Sequence, residues 1–222
     1  GPSALRAARS RFGELWGAVG RPWRAVGTLP GRNVIRMAIA TICASLQSSS
    51  ANDTVMSAIE AELRTQGWDP RRVAGLERIP PFRPDIDPPN EVTAWAGQLD
   101  AAEGVAIATP EYAAGPPDAL KNALDWLMGL STIYRKPVVV VCAGTTGGAF
   151  TIEALVRTLS YQGALTVGTL GVEGIRTKLG VDGAVTDPTL LNDLAALAGR
   201  LVDGVRADGL RGEGSEGTDD GL

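Results

Sequence analysis

Short runs of consecutive apolar residues alternate along the chain with longer segments whose apolar residues recur at helical spacing. Residues 34–42 are rich in β-branched and other apolar side chains, which is typical of a buried strand. Residues 52–66 place Val55, Ile59 and Leu63 on one face of a helix. The first predicted unit is therefore a strand followed by a helix.

The same alternation continues to residue 205. A weaker strand at 73–79 precedes a proline-rich loop at 80–89 that is too stiff and too poor in donors for regular structure. The other predicted elements are helices at 91–99, 117–130, 148–162 and 189–205 and strands at 104–109, 137–142 and 164–172. Strands that are apolar at nearly every position, each followed by a helix, require a parallel sheet covered on both faces. We therefore predict a doubly wound α/β domain with five strands over residues 34–206.

The segments that flank this domain differ from it in composition. Residues 1–33 carry six arginines against one glutamate, with apolar residues at helical spacing that include Leu5, Phe12 and Trp16. We predict a basic amphipathic helix that packs on its own subunit or a symmetry mate, with docking on another partner and disorder as the alternatives. Residues 207–222 are glycine-rich and acidic, which predicts a disordered tail.

Composition argues against several classes of function. A net charge of −4 over 222 residues argues against a nucleic-acid partner, because binding phosphates needs a basic face. The absence of histidine excludes Ser-His-Asp catalysis and histidine-ligated zinc. Cys43 and Cys142 match no metal or redox spacing, and no apolar run approaches the roughly 18 residues that a membrane span needs. We predict a cytoplasmic protein without a membrane span that binds a small molecule.

Unusual loops follow the first, third and fourth predicted strands, where doubly wound sheets bind their ligands. The first loop, residues 45–52, consists mostly of hydroxyl and amide side chains and leads into a helix N-terminus, which favours a bound anion. A monophosphate is favoured because the loop lacks the glycines and the lysine of dinucleotide and triphosphate motifs. The alternative is that Ser50 or Asn52 only caps the helix.

The other two loops complete a recognisable set of motifs. The second reads Thr-Pro-Glu-Tyr from residue 109, with Leu-Lys-Asn-Ala-Leu-Asp-Trp at 120–126, and the third reads Cys-Ala-Gly-Thr-Thr-Gly-Gly at 142–148. Together with the Ser-Leu-x-x-x-Ser-x-Asn pattern at 45–52, they resemble the NADPH-dependent FMN reductase family over residues 34–205. The resemblance implies a flavodoxin-like fold with strand order 2-1-3-4-5 and helices on both faces.

The resemblance also implies cofactors and a reaction. Hydride from NADPH or NADH would pass to FMN and on to a small-molecule acceptor: a quinone, an azo compound, or free flavin for a flavin-dependent monooxygenase. The FMN phosphate would lie in the first loop and the isoalloxazine ring between the other two. The implied FMN contacts are Ser45, Gln47, Ser50, Ala51 and Asn52 in the first loop, Pro110, Glu111, Tyr112 and Ala113 in the second, and Ala143, Gly144, Thr145, Gly147 and Gly148 in the third.

Two positions depart from the family pattern. Gln47 stands where the family has an arginine, which exchanges a charge-assisted contact for a neutral one at a cost of about 1–1.5 kcal/mol. Ala113 replaces the usual asparagine, so the preferred acceptor does not carry over. These departures leave open whether FMN is bound or diffusing. A non-enzymatic FMN electron carrier and a repurposed fold acting with a partner stay as alternatives.

The sequence also predicts the surroundings of two further side chains, Glu111 and Trp126. Glu111 is expected to accept backbone hydrogen bonds or to reach a neighbouring subunit, because a carboxylate close to a phosphate would be repelled. Trp126 lies off the apolar face of its predicted helix, so we expect it to be exposed on a monomer. A subunit contact there, which the resemblance also implies, predicts a homodimer or homotetramer.

Overall fold

The computed structural model of the chain describes residues 37–213. Five strands form one parallel sheet in the order β2-β1-β3-β4-β5, which confirms the predicted flavodoxin-like class. The strands are β1 (Ala38–Cys43), β2 (Asp69–Arg72), β3 (Gly104–Thr109), β4 (Pro137–Gly144) and β5 (Leu165–Glu173), and the helices are α1 (Ala51–Thr65), α2 (Asn90–Asp100), α3 (Asp118–Leu127), α4 (Ala149–Tyr161) and α5 (Pro188–Glu213). None of the helices within 37–213 is long and apolar enough to cross a membrane.

Helices cover both faces of the sheet because successive strand residues point in opposite directions. Val138 and Val140 of β4 pack in one apolar cluster with α2, α3 and α4, whereas Val139 and Val141 pack in a second cluster with α1 and α5. All four side chains are at most 1% exposed. β4 is therefore apolar at nearly every position because both of its faces are buried, as its sequence predicts.

The second strand differs from its predicted position. The structure has β2 at Asp69–Arg72, whereas Val73 follows the strand and Leu76–Arg78 form a short 3-10 helix. As an edge strand, β2 pairs only with β1 and tolerates Pro70, so it needs no apolar run of its own. Val73 and Leu76 still bury their side chains in the core, which explains the apolar pattern that suggested a strand there.

The predicted ends of the domain also differ from the structure. The last helix, α5, continues to Glu213, so residues 207–213 are helical although their composition predicts a disordered tail. Residues 1–36 and 214–222 lie outside the described part of the chain. The predicted N-terminal helix, the first residues of the predicted strand at 34–42 and the rest of the predicted tail fall there.

Trp126 is buried, contrary to expectation. Its side chain is 3% exposed, its indole Nε1 donates a hydrogen bond to the Pro80 carbonyl at 2.9 Å, and its ring meets Phe82 edge to face at 5.0 Å. Asn122, one turn earlier on α3, donates to the same Pro80 carbonyl at 2.9 Å and accepts from the Phe82 N–H at 2.7 Å. Asn122 and Trp126 of the 120–126 motif thus anchor the proline-rich loop to α3.

Replacing Trp126 with phenylalanine should destabilise the fold without changing the oligomeric state. The variant loses the indole hydrogen bond to Pro80, while Trp95→Phe removes the same volume at a buried indole whose Nε1 has no partner among the described residues. We expect Trp126→Phe to cost about 1 kcal/mol more than Trp95→Phe in urea unfolding. Dissociation of an oligomer by Trp126→Phe, seen by ultracentrifugation, would instead make this residue a subunit contact.

Candidate functional site

Asn52 joins the first loop to the end of β4. Its side chain is 3% exposed, its Nδ2 donates to the Ala143 carbonyl at 3.0 Å, and its Oδ1 accepts from the Ala143 N–H at 3.1 Å. Both ends of the amide therefore bind one backbone residue 91 positions away in sequence. The structure gives Asn52 a positioning role that fixes the start of α1 against the end of β4.

Ser50 caps α1, as the structural alternative for the first loop predicts. Its Oγ accepts from the Asp53 N–H at 3.1 Å, and the residue is 6% exposed with extended backbone angles. Gln47, Ser48 and Ser49 of the loop before this helix are exposed, and Ser45 is half-buried beside them. This set fits a phosphate group, because hydroxyls, amides and the positive end of the helix dipole favour an anion.

The guanidinium of Arg72, which lies beside α1, is already paired with carboxylates. Arg72, at the end of β2, donates through Nε to Glu60 Oε1 at 2.6 Å and binds Asp53 through its Nη1. Glu60 is 7% exposed and also accepts from the Thr41 hydroxyl at 2.7 Å. Two carboxylates thus balance the Arg72 charge, so a phosphate in the first loop depends on neutral donors and the helix dipole.

The second loop ends in a strained turn. Tyr112 and Gly115 exchange backbone hydrogen bonds of 2.9 and 3.0 Å around Ala113 and Ala114, whose φ angles are 48° and 58°. A two-residue turn with positive φ at both central positions favours asparagine and glycine, and an alanine in this conformation costs about 1–2 kcal/mol. The turn holds the Tyr112 side chain 55% exposed at the carboxyl edge of the sheet.

Glu111 links the second loop to the third. Its Oε2 accepts from the Thr151 N–H at 2.9 Å and its Oε1 accepts from the Thr146 hydroxyl at 3.1 Å. Because the N-cap of α4 is Gly148, which has no side chain, Glu111 caps this helix from another loop. The hydrogen bond from the Thr151 backbone lowers the pKa of Glu111, while desolvation opposes the shift. This confirms the expectation that Glu111 accepts backbone hydrogen bonds.

The third loop lies flat against the strands beneath it. A Cβ atom on Gly148 would stand 2.0 Å from the Cys142 Sγ, and one on Gly171 of β5 would stand 2.4 Å from the Gly147 carbonyl oxygen. Both Gly147 and Gly148 have positive φ angles, of 73° and 68°. A Cβ on Gly144 would meet no atom within 4 Å. At Gly144 the loop therefore leaves open space beside its backbone, which suits a flat ring.

The two cysteines are unsuited to nucleophilic chemistry. Burial raises the pKa of Cys142 to about 12, and that side chain is fully buried under Gly148. Cys43 is half-buried, with its Sγ 4.0 Å from the Ser50 Oγ, and burial raises the pKa of its thiol as well. Both thiols stay protonated at neutral pH, which agrees with the small apolar role expected for each.

The structure brings the three predicted loops together, with different exposure for their members. Ser50, Asn52, Pro110, Ala143 and Gly148 are buried, Ser45, Ala51, Glu111, Gly144 and Gly147 are half-buried, and Gln47, Tyr112, Ala113 and Thr145 are exposed. Sequence reasoning missed Thr146 and Thr151 as partners of Glu111. Glu111 and Thr151 are 40 positions apart, so the local sequence gives no signal for such a cap.

Asn52→Ala should lower the free energy of unfolding by about 2–4 kcal/mol, because it leaves the buried Ala143 N–H and carbonyl without their partners. Ser48→Ala, in the same loop but exposed, is the matched control and should cost about 0.5 kcal/mol or less. Urea unfolding of the protein without added flavin measures both values. Equal costs for the two variants would contradict the positioning role of Asn52.

Glu111→Gln should destabilise the protein in a pH-dependent way. Since the folded-state pKa of Glu111 lies below the ordinary 4.5, its stabilisation is present above pH 4.5 and is lost as the pH falls through the folded-state pKa. The urea midpoint of the variant should lie below that of the wild type at pH 7, and the difference should shrink as the pH falls below 4.5. Glu153→Gln, whose side chain is 73% exposed on α4, is the control. A difference that is independent of pH would refute the charged cap.

Known proteins resemble the chain in this same region. The model of the NADPH-dependent FMN reductase family matches residues 37–174. The quinone reductase of Escherichia coli is 31% identical over 122 residues, which cover 51% of this chain and 64% of that protein. The 2-hydroxy-1,4-benzoquinone reductase of a Burkholderia species is 33% identical over 117 residues, covering 50% of this chain and 61% of that protein. The chain thus spans less than two thirds of the quinone reductases that it matches.

Solved structures agree on the fold. FerB, a flavoenzyme NAD(P)H:acceptor oxidoreductase from Paracoccus denitrificans, has a TM-score of 0.66 at 23% identity, with 77% of this chain and 98% of that chain covered. An oxidoreductase from Corynebacterium diphtheriae has a TM-score of 0.57 at 19% identity, with 78% and 98% covered. All three loops lie within residues 37–174, the region that the family model matches. The chain belongs to the NADPH-dependent FMN reductase family.

Proposed function

We propose that the chain is an NAD(P)H-dependent reductase that binds FMN and delivers two electrons to a small-molecule acceptor, with quinones as the favoured class. The observation that carries this proposal is the linkage of the three loops at the carboxyl edge by Asn52 and Glu111. The names of two relatives, a quinone reductase and a 2-hydroxy-1,4-benzoquinone reductase, support quinones as the acceptor class.

Bound FMN would accept a hydride from the nicotinamide and return two electrons to the acceptor. The overall reaction is NAD(P)H plus a proton plus quinone giving NAD(P)⁺ plus hydroquinone. The described residues have the task of holding the flavin: Gln47, Ser48 and Ser49 at the phosphate, Tyr112 at the ring, and the backbone of the third loop along its other edge. No described side chain has to act as an acid or base.

The proposal extends to the setting of the protein. We infer a homodimer or homotetramer, because Met128 and Tyr134 leave 51% and 61% of their surfaces exposed on the single chain. We also propose a cytoplasmic location, which the free thiols of Cys43 and Cys142 support. If FMN dissociates readily through its neutral phosphate loop, a flavin-dependent monooxygenase becomes a possible consumer of reduced flavin. Ultracentrifugation of the purified protein decides the assembly state.

An anaerobic titration tests the central proposal. The FMN-supplemented protein is titrated with NADPH and then NADH while the absorbance of oxidised flavin is followed, beside FMN without protein. We expect stoichiometric bleaching much faster than in the protein-free sample, because the site orients the nicotinamide against the flavin. Bound flavin that does not bleach would favour an electron carrier, and absence of flavin binding would favour a repurposed fold.

Gln47→Arg should tighten FMN binding about tenfold, because a guanidinium makes a charge-assisted contact with phosphate where glutamine makes a neutral one. Gln47→Glu should weaken it by repulsion. Quenching of flavin fluorescence on titration with protein gives each Kd. Riboflavin, which lacks the phosphate, is the control and should bind all three proteins alike. The same change for riboflavin as for FMN would show that the phosphate lies elsewhere.

A further inference from the structure

An exposed aromatic ring begins α4. Phe150 is the second residue of this helix and 64% of its surface is exposed. The core face of α4 is formed by Thr151, Leu155 and Leu159, all at most 1% exposed. Phe150 contributes little to the apolar core, so stability gives no reason for a large apolar side chain at this position.

The Glu111 bridge places Phe150 at the same edge as Tyr112. The Glu111 carboxylate accepts from the Thr151 N–H at 2.9 Å and also interacts with the backbone N–H of Phe150. Tyr112, the next residue after Glu111, is 55% exposed. One carboxylate therefore connects the backbone beside two exposed aromatic residues, Tyr112 in the second loop and Phe150 at the start of α4.

Small residues adjoin both rings in the sequence. Beyond Tyr112 the turn consists of Ala113 and Ala114, which have no atoms beyond Cβ, and before Phe150 come Gly147 and Gly148. The backbone there is held by the strained turn on one side and by the close packing of Gly148 on Cys142 on the other. Ala113 and Ala114 after Tyr112, and Gly147, Gly148 and Ala149 before Phe150, therefore carry no side chain larger than a methyl group.

We propose that Phe150 is an acceptor-binding residue, which with Tyr112 contacts a planar aromatic electron acceptor of the fused-ring quinone class. Aromatic rings prefer offset or edge-to-face contact with one another, which orders a flat acceptor without hydrogen bonds. This inference rests on the proposed reductase function and names the acceptor class for the same site. Contact with Phe150 would therefore strengthen the binding of aromatic acceptors relative to compact inorganic ones.

Binding of anthraquinone-2-sulfonate to the oxidised, FMN-loaded protein provides a test without turnover. Isothermal titration calorimetry compares the wild type with Phe150→Ala, Phe150→Trp and Tyr161→Ala. Tyr161 is the matched control, because it ends the same helix and is 83% exposed. We expect Phe150→Ala to raise the Kd of the quinone about three- to tenfold, whereas Phe150→Trp and Tyr161→Ala leave it near the wild-type value.

A second readout uses protein reduced chemically with dithionite. Reoxidation by anthraquinone-2-sulfonate should need a higher quinone concentration for half-saturation in Phe150→Ala, whereas reoxidation by ferricyanide and the Kd of FMN should stay unchanged. Equal quinone affinity in the wild type and Phe150→Ala, or no quinone binding by the wild type, would overturn the assignment. A change of oligomeric state in Phe150→Ala would overturn it too, because Phe150 would then be a subunit contact.

The two proposals fail in different ways. Because the calorimetry and the dithionite experiment use no nicotinamide, a protein that NAD(P)H cannot bleach would refute the reductase while a quinone Kd raised by Phe150→Ala still supports the aromatic contact. Conversely, rapid bleaching together with unaltered quinone binding in Phe150→Ala would keep the reductase and refute the role of Phe150. A protein that binds no FMN would refute both.

Discussion

The loop after β4 is the common partner of the other two loops, and the geometry of the site depends on that shared contact. Asn52 holds the start of α1 to the backbone at Ala143, and Glu111 holds the loop after β3 to the N-terminus of α4. In the same region, Gly148 lies directly on Cys142, where a Cβ would stand 2.0 Å from the Cys142 Sγ. Gly148 thus allows the loop to pack closely on β4, and the side chains of Asn52 and Glu111 hold the other two loops beside it.

Sequence reasoning succeeded where burial on both faces of the sheet determines the residues. β3 has its predicted bounds, and β4 reads as an apolar run because its alternate valines enter two different clusters. The three site loops were predictable for a related reason, since a doubly wound sheet places the carboxyl ends of β1, β3 and β4 side by side. Topology alone therefore predicts which loops meet.

The misplaced elements share a different physical origin. β2 is an edge strand held by backbone pairing, so its sequence, Asp-Pro-Arg-Arg, lacks the apolar pattern of a buried strand. Val73 and Leu76, which follow it, are buried in the core, and their apolar pattern suggested a strand at the wrong position. Trp126 lies off the apolar stripe of α3 because it packs on the proline-rich loop rather than on the sheet. The side-chain amide of Asn52 binds Ala143, a partner 91 positions away that the local sequence does not indicate. In each case a contact across a long sequence separation overrides the local pattern.

The two departures from the family pattern act on opposite ends of the predicted flavin. At the phosphate end, Gln47 supplies no charge, and Arg72 cannot replace it because Asp53 and Glu60 already balance the Arg72 guanidinium. At the ring end, Ala113 and Ala114 adopt a backbone conformation that favours asparagine and glycine. The backbone of this turn is therefore strained, and its two central side chains are only methyl groups. If FMN binds as we propose, a weaker hold on its phosphate and a more open edge at its ring would both favour exchange at the site. Both departures therefore fit a reductase that passes electrons to bulky acceptors better than a carrier that must retain its flavin.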